Sequence, residues 1–322
     1  MARKYDADSI VVIESDREKV RRNPSMYVPD IYRNGYLHIC GEVYSNSSDE
    51  LTVAGSVGCH LDVTFDEKTK EFSVADDGSG IPLEKLLDVL TKLAASGKFN
   101  NGENSAYLTT AGRWGHGLKT AVFLSDSCEF TSMRDGKSLK YIFKDGEMIK
   151  KIEGKSDKHG TYSKFHIDPS IIDSHEATWK DLDERLADLS YLYPQLKITL
   201  TVFDGKKELK KLKYSGKDIE DRVKLWKPDT PIIRVTDKRK VTYLKNITDD
   251  KLTTDKVGID IVFAYKEAVL DADDRDDFII SYANGAKTYM GGTHIDGLRA
   301  GIQKYFKEDI IPKLKGKDKE LN

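Results

Sequence analysis

Along the chain, apolar positions switch between a period near 3.6 and a period of 2, and the switches mark out elements. Ser15-Asp16-Arg17-Glu18 reads as a capping box opening a short helix, and Pro24 ends it. A longer helix is predicted over Tyr36 to Leu51. Cys59 to Phe65 and Glu71 to Ala75 alternate like paired strands, joined through the turn-rich Asp66-Glu67-Lys68-Thr69. Helical spacing returns over Leu83 to Ala95 and again over Leu118 to Leu124. Between them, Ser96 to Trp114 is rich in Gly, Asn and Ser; so long an irregular stretch is usually a functional lid or disordered. Strands follow at Cys128 to Met133, Leu139 to Phe143 and Tyr162 to Ile167, then a helix from Thr178 to Tyr191 stopped before Pro194, then a strand at Ile198 to Phe203. Around Ser215-Gly216-Lys217 the chain changes character. Beyond lie a helix over Ile219 to Leu225, Pro228 and Pro231, strands near Val241, Ile261 and Ile279, and a last helix from Ile295 to Phe306. A boundary near residue 217 divides the chain into 1–217 and 218–322. Both parts mix helices and strands, which predicts an α/β or α+β sandwich for each.

Composition narrows the classes. With 322 residues, 39% hydrophobic and 33% charged, the chain can build a sizeable core under a wet surface. No apolar run approaches ~18 residues, and Met1-Ala2-Arg3-Lys4-Tyr5-Asp6 opens no apolar signal segment, so no membrane span is expected. Three irregularly spaced cysteines (Cys40, Cys59, Cys128) suggest neither a disulfide framework nor a zinc site, and a reducing, cytoplasmic compartment is the expectation. Lys plus Arg number 52 against 54 Asp plus Glu, a net charge of -2. A generally basic nucleic-acid surface is thereby excluded, and any contact with DNA has to be local or made by a partner. Lys313, Lys315, Lys317 and Lys319 form either such a local patch or a solvated tail.

Four segments carry chemistry. His38, Glu42, Asn46 and Glu50 recur every fourth residue, so they share one helix face, either solvated or catalytic. Gly41 inside that helix costs ~1 kcal/mol against alanine and points to close packing. Second, a strand ends in Asp76-Asp77-Gly78-Ser79-Gly80-Ile81-Pro82: either a tight turn, or a carboxylate placed to accept from a base amine, with glycines that let backbone approach a ligand. Third, Gly112-Arg113-Trp114-Gly115-His116-Gly117-Leu118-Lys119-Thr120 nearly matches a Walker A loop, but Leu118 intervenes and Ala106 to Ala111 makes a poor buried strand. What survives is a glycine-rich loop opening on a helix N-terminus suited to phosphate, with Lys119 adding a point charge. The fourth, Gly160-Thr161 leading into a strand, means nothing alone.

In this order the four segments resemble the signature of the GHKL ATPases, the superfamily of gyrase, the ninety-kilodalton heat-shock chaperone, histidine kinases and mismatch-repair ATPases. The flanks Tyr5-Asp6-Ala7-Asp8-Ser9-Ile10, Val20-Arg21-Arg22-Asn23-Pro24-Ser25-Met26-Tyr27, Ser281-Tyr282-Ala283-Asn284 and Gly291-Gly292-Thr293-His294 look like the ATPase region of type II DNA topoisomerases, gyrase B-like, over roughly Tyr5 to Ile311. Gly117-Leu118-Lys119 is closer to eukaryotic members and Leu192-Tyr193-Pro194 resembles phage ones. The resemblance implies an α+β fold: a GHKL (Bergerat) α/β sandwich followed by a partial, βαβ-type transducer domain. It implies an ATP-operated clamp in a bacterial cytoplasm or phage-infected cell. Such a clamp dimerises on ATP and works on DNA with a cleavage subunit or domain. Glu42 then matches the general base, His38 its orienting partner, and Asn46 the Mg²⁺ ligand. Asp76, Gly78, Gly80, Ile81 and Thr161 match the adenine site, with Tyr107 as an adenine contact. Gly112, Gly115, Gly117, Leu118 and Lys119 fall on the phosphate-binding lid, and Tyr5 matches an arm residue reaching the other protomer's nucleotide.

Departures from the pattern stand beside it. Ser79 replaces an arginine that, in bacterial members, pairs with the residue matching Glu50, and Trp114 and His116 alter the lid. The sequence ends at Asn322, before the Gln-Thr-Lys loop whose lysine reaches the γ-phosphate in the family. A non-hydrolysing, nucleotide-gated dimerisation module and a mismatch-repair-like branch are the alternatives, the latter disfavoured by Gly291-Gly292-Thr293-His294.

Overall fold

The computed structural model describes residues 15–53, 55–93, 117–246, 249–265, 279–288 and 291–313. The chain divides into two compact units, 1–268 and 269–322. In the first, an eight-stranded sheet runs in the order β5-β4-β3-β6-β2-β1-β7-β8. Its strands are β1 (His60–Asp66), β2 (Phe72–Asp76), β3 (Ser125–Arg134), β4 (Lys137–Lys144), β5 (Glu147–Lys155), β6 (Gly160–Ile167), β7 (Lys197–Asp204) and β8 (Lys207–Tyr214). Only β1 and β7 pair in parallel. Helices α1 (Asp16–Arg22), α2 (Arg33–Thr52), α3 (Leu86–Thr91), α4 (Gly117–Phe123), α5 (Trp179–Leu192) and α6 (Ile219–Lys224) belong to the same unit, with α2, α4 and α5 packed on the sheet. This is the α+β sandwich that the resemblance implied.

Strand period sets the core. In register across the sheet, Phe143, Cys128, Phe165, Phe72, Phe65 and Val202 form one row of side chains on the helix-covered face. All six are nearly inaccessible to solvent. Tyr36 of α2 presents its edge to Phe65 and Phe72, at centroid distances of 6.4 and 6.1 Å, and its hydroxyl donates to the carbonyl of Lys70. Further along β2, the same alternation carries Asp76 onto this buried face, opposite Leu61 and Thr161. The opposite face is polar, with Glu71 bonded to Lys164 at 2.8 Å, as befits an antiparallel sheet wetted on one side.

The cap expected at Ser15 forms, and α5 carries a second one that the sequence pattern does not mark. Ser15 accepts from the Glu18 amide at the start of α1, and Thr178 exchanges bonds with Asp181 in a full capping box before α5. Arg21 of α1 donates to the carbonyls of Phe123 and Ser125 and pairs with Asp168 at 2.5 Å, which ties down the C-terminal end of α4.

Three expectations change. Of the helix predicted over Leu83 to Ala95, residues 83–91 form a 3₁₀ turn, Leu83–Lys85, followed by the six-residue α3, and residues 94 and 95 lie outside the described residues. Strands β5 and β8 have no counterpart in the sequence pattern. They are the two sheet edges, almost wholly exposed, so no buried row imposes a readable apolar alternation on Glu147–Lys155 or Lys207–Tyr214. The strands expected near Val241 and Ile261 are present and pair as one long hairpin, β9 (Ile233–Asn246) and β10 (Asp249–Phe263). No strand occupies Ile279; among the described residues the nearest pairing is the two-residue ladder of β11 (Tyr282–Ala283) with β12 (Ala286–Lys287). Those short strands and α7 (Thr293–Tyr305) lie in the second unit, where Thr288 Oγ1 stands 3.3 Å from His294 Nε2.

Gly41 also differs from expectation. A Cβ added there would meet Tyr44 Oη at 3.5 Å and Arg185 Nη1 at 3.6 Å, ordinary van der Waals contact, so no close backbone approach requires glycine. Gly41→Ala is therefore expected to stabilise the protein by about 0.5–1 kcal/mol through helix propensity. Thermal unfolding should show a midpoint about 2–4 °C higher per kcal/mol; a lower midpoint would mean that the glycine is packed.

Candidate functional site

At one end of the sheet, α2, the β2–α3 connection, β6 and α4 converge. The structure brings together Asp76, Gly78, Gly80, Ile81, Thr161, Glu42, Asn46, His38, Gly117, Leu118 and Lys119 on these elements. Tyr5, Tyr107, Gly112, Gly115, Trp114 and His116 lie outside the described residues.

Asp76 is the buried anchor. Its Oδ2 accepts from Ser47 Oγ at 2.7 Å and Thr161 Oγ1 at 2.6 Å, and its Oδ1 from the amides of Gly78 at 3.0 Å and Thr161 at 3.2 Å. Burial pushes its pKa up, and these four donors pull against that rise. The next residue, Asp77, points to the other face, where it holds the exposed His60 at 2.6 Å. Beyond it, Ser79 donates its amide to Glu50 Oε1 at 3.2 Å, a backbone contact at the position where the family pattern has an arginine. Gly80 has φ +72°, and a Cβ there would lie 2.4 Å from the Met133 carbonyl, so only glycine fits this turn. Arg134 donates to the Gly80 carbonyl at 3.1 Å and Ser132 to that of Ile81 at 2.8 Å.

On α2, His38 Nε2 stands 3.9 Å from Glu42 Oε1, in electrostatic reach but longer than a hydrogen bond. Burial lowers the His38 pKa, and the Arg185 charge lowers it further, so the imidazole is neutral at pH 7. Asn46 donates Nδ2 to the Glu42 carbonyl at 2.7 Å. The N-terminal residue of α4 packs on the same stripe. A Cβ on Gly117 would fall 2.0 Å from Glu42 Oε2, so any larger residue displaces that carboxylate. Lys119, 2% exposed, has its ammonium pKa pulled down to about 8 by burial.

Sequence reasoning passed over Ser47, Arg134 and Arg185. Ser47 belongs to Ser47-Ser48-Asp49, three buried polar residues in mid-helix, and that run was the available signal. Arg134 closes β3 at a hairpin turn, and Arg185 donates to Leu37 O at 2.9 Å from a different helix; neither carries a local sequence cue.

The donor set fits a nucleotide: a buried carboxylate, a strand-to-turn glycine with no room for a side chain, and a buried ammonium at a helix start. Among the described residues no group of three or more His, Cys, Asp or Glu could hold a metal. A single amide oxygen suits Mg²⁺, which keeps phosphate and water ligands, and does not suit zinc.

Comparison with known proteins agrees. The model of the histidine kinase-, DNA gyrase B- and HSP90-like ATPase family matches residues 41–180, a span that contains Glu42, Asn46, Asp76, α4 and Thr161. The chain carries an ATPase domain of that family. Likeness to individual proteins runs further. The type 2 topoisomerase B protein of Aquifex aeolicus is 32% identical over 311 residues, 93% of this chain and 36% of that protein. The DNA gyrase B protein of Thermotoga maritima is 32% identical over 321 residues, 95% of this chain and 47% of that protein. The DNA topoisomerase 4 B protein of Staphylococcus aureus is 30% identical over 333 residues, 99% of this chain and 46% of that protein. The chain thus spans less than half the length of these relatives. Among the described residues no helix is long and apolar enough to cross a membrane.

Proposed function

We propose that the chain is the ATP-binding and ATP-hydrolysing clamp of a type II DNA topoisomerase. One observation carries the reading: Asp76 on β2, the Glu42–Asn46 stripe of α2, and Gly117 and Lys119 of α4 converge at one end of the sheet. Asp76 accepts from the adenine amine. Both of its oxygens already take two donors, so the Ser47 or Thr161 hydroxyl turns from the carboxylate toward the base as adenine enters. Glu42 is the general base that takes a proton from the attacking water, and neutral His38 orients it. Gly117, Leu118 and Lys119 cradle phosphate, Gly112 and Gly115 belong to the same lid, and Tyr107 contacts adenine. Asn46 would supply the protein ligand to a bound Mg²⁺, which would contribute neutralisation of phosphate charge.

In this reading residues 1–217 form the ATP-binding domain and 218–322 the first part of a transducer domain. Two copies close on ATP through the arm bearing Tyr5. DNA and a cleavage subunit or domain are engaged in the full enzyme, in a cytoplasmic setting. Light scattering tests the clamp. A monomer that becomes a dimer with a non-hydrolysable ATP analogue is expected, whereas rapid turnover by a strictly monomeric chain would overturn it.

Lys119 gives a pH signature. An ammonium with a pKa of about 8 is charged below that pH and neutral above it. ATP affinity is expected to fall as pH rises through about 8 in the wild type and to stay flat in Lys119→Met, which has no charge to lose. Titration calorimetry between about pH 7 and 9 makes the comparison, and identical profiles would remove Lys119 from the phosphate site.

A further inference from the structure

We propose that the β7–β8 edge of the sheet is a docking surface for the phosphate backbone of duplex DNA. Residues 197–217 hold seven lysines against two acids, in a chain whose overall charge is -2. Lys206, Lys207, Lys211 and Lys213 are exposed, and among the described residues none has an ion-pair partner. Lys210 and Lys217 are engaged elsewhere, over the rings of Trp179 at 4.2 Å and Tyr191 at 5.4 Å.

Lysines commonly protect an exposed sheet edge from pairing with another chain. The opposite edge of the same sheet shows what protection alone looks like. Strand β5 carries three lysines and two glutamates. There Glu153 pairs with Lys151 at 2.6 Å and Glu147 with Arg17 of α1 at 3.2 Å, so both acids are paired and the strand itself carries a net charge of only +1. On β8 four lysines face one glutamate.

Lys211 and Lys213 stand opposite Thr201 and Thr199 on the open, polar face of the sheet, and Lys206 and Lys207 follow at the hairpin turn. At ~3.3 Å per residue the row extends over roughly 23 Å. A duplex presents about one phosphate charge per 1.7 Å of axis, so such a row is matched without bending it. Flexible ammonium groups beside threonines suit sequence-independent backbone contact rather than base reading. The choice of DNA over another polyanion rests on the function proposed above.

Fluorescence anisotropy of a labelled duplex with the full chain tests the surface. Four phosphate contacts predict a slope of log K against log salt near −3.6, or roughly 150-fold weaker binding at about 200 mM than at about 50 mM salt. The K206Q/K207Q/K211Q/K213Q variant is expected to lose most of that slope and at least about tenfold in low-salt affinity. K150Q/K151Q/K155Q on the opposite edge should change neither. Mg-ATP affinity, measured on the same samples, reports that the variants are folded; if the quadruple variant loses it, the K211E/K213E pair decides instead. An unchanged salt slope in the β8 variants, no wild-type binding at about 50 mM salt, or preference for anionic phosphatidylserine vesicles over duplex would each overturn the inference. Failure of the wild type to bind ATP would count against the nucleotide site alone.

Discussion

Glu42→Gln is expected to bind Mg-ATP with near wild-type affinity and to hydrolyse it about 10²- to 10⁴-fold more slowly, the usual cost of losing one general base. The carboxylate lies on α2 one turn before Asn46 and within 3.9 Å of His38. It is also packed against the start of α4, where a Cβ on Gly117 would collide with it. Glutamine keeps this packing volume and removes only the basicity, so a slow but tightly binding variant isolates the chemistry from the architecture. Glu42→Ala should be as slow, with some added loss from the emptied contact. Steady-state phosphate release together with nucleotide affinity makes the measurement. Wild-type turnover in Glu42→Gln would assign the base elsewhere.

Asp76→Asn is expected to fail earlier, at binding. The carboxylate is buried on the core face of β2 and meets four donors from Ser47, Gly78 and Thr161. An amide of the same shape presents N–H groups to an adenine amine and to two hydroxyls, so at least one buried polar group is mispaired. That costs ~1–3 kcal/mol, or roughly 5- to 150-fold in ATP affinity. Because burial raises the Asp76 pKa and its hydrogen bonds lower it, its ionised state depends on those partners. Thr161→Val is therefore expected to weaken ATP binding too, by less than Asp76→Asn. Unchanged affinity in Asp76→Asn would return the segment to a plain turn.

How much of this was legible in the sequence follows from where each signal is stored. The elements that bury a row of side chains were readable: Phe72 and Val74 alternate because one face of β2 is core, and Tyr36 to Leu51 keeps helical spacing because one stripe of α2 packs on that core. The edges were not. β8 is held by backbone pairing with β7, and backbone hydrogen bonds leave no mark on side-chain identity. The chemical positions were readable as a resemblance of four spaced motifs, while the spacing of Glu42 and Asn46 alone fitted a solvated face better. What the motifs could not convey was support. Ser47 under Asp76, Arg134 on the Gly80 carbonyl and Arg185 beside His38 come from segments distant in sequence, and only the fold brings them to the site. Ser79 illustrates the reverse: the side chain of the family pattern is missing, yet its backbone amide still reaches Glu50.

The most direct test of the account is a calorimetric titration of the wild-type chain with Mg-ATP and, in parallel, Mg-GTP. Saturable binding of ATP, one per chain, is expected, with GTP much weaker because its exocyclic 6-oxo oxygen faces the Asp76 carboxylate where adenine offers an amine. Equal affinity for the two nucleotides, or no binding of either, would contradict the assignment of this site.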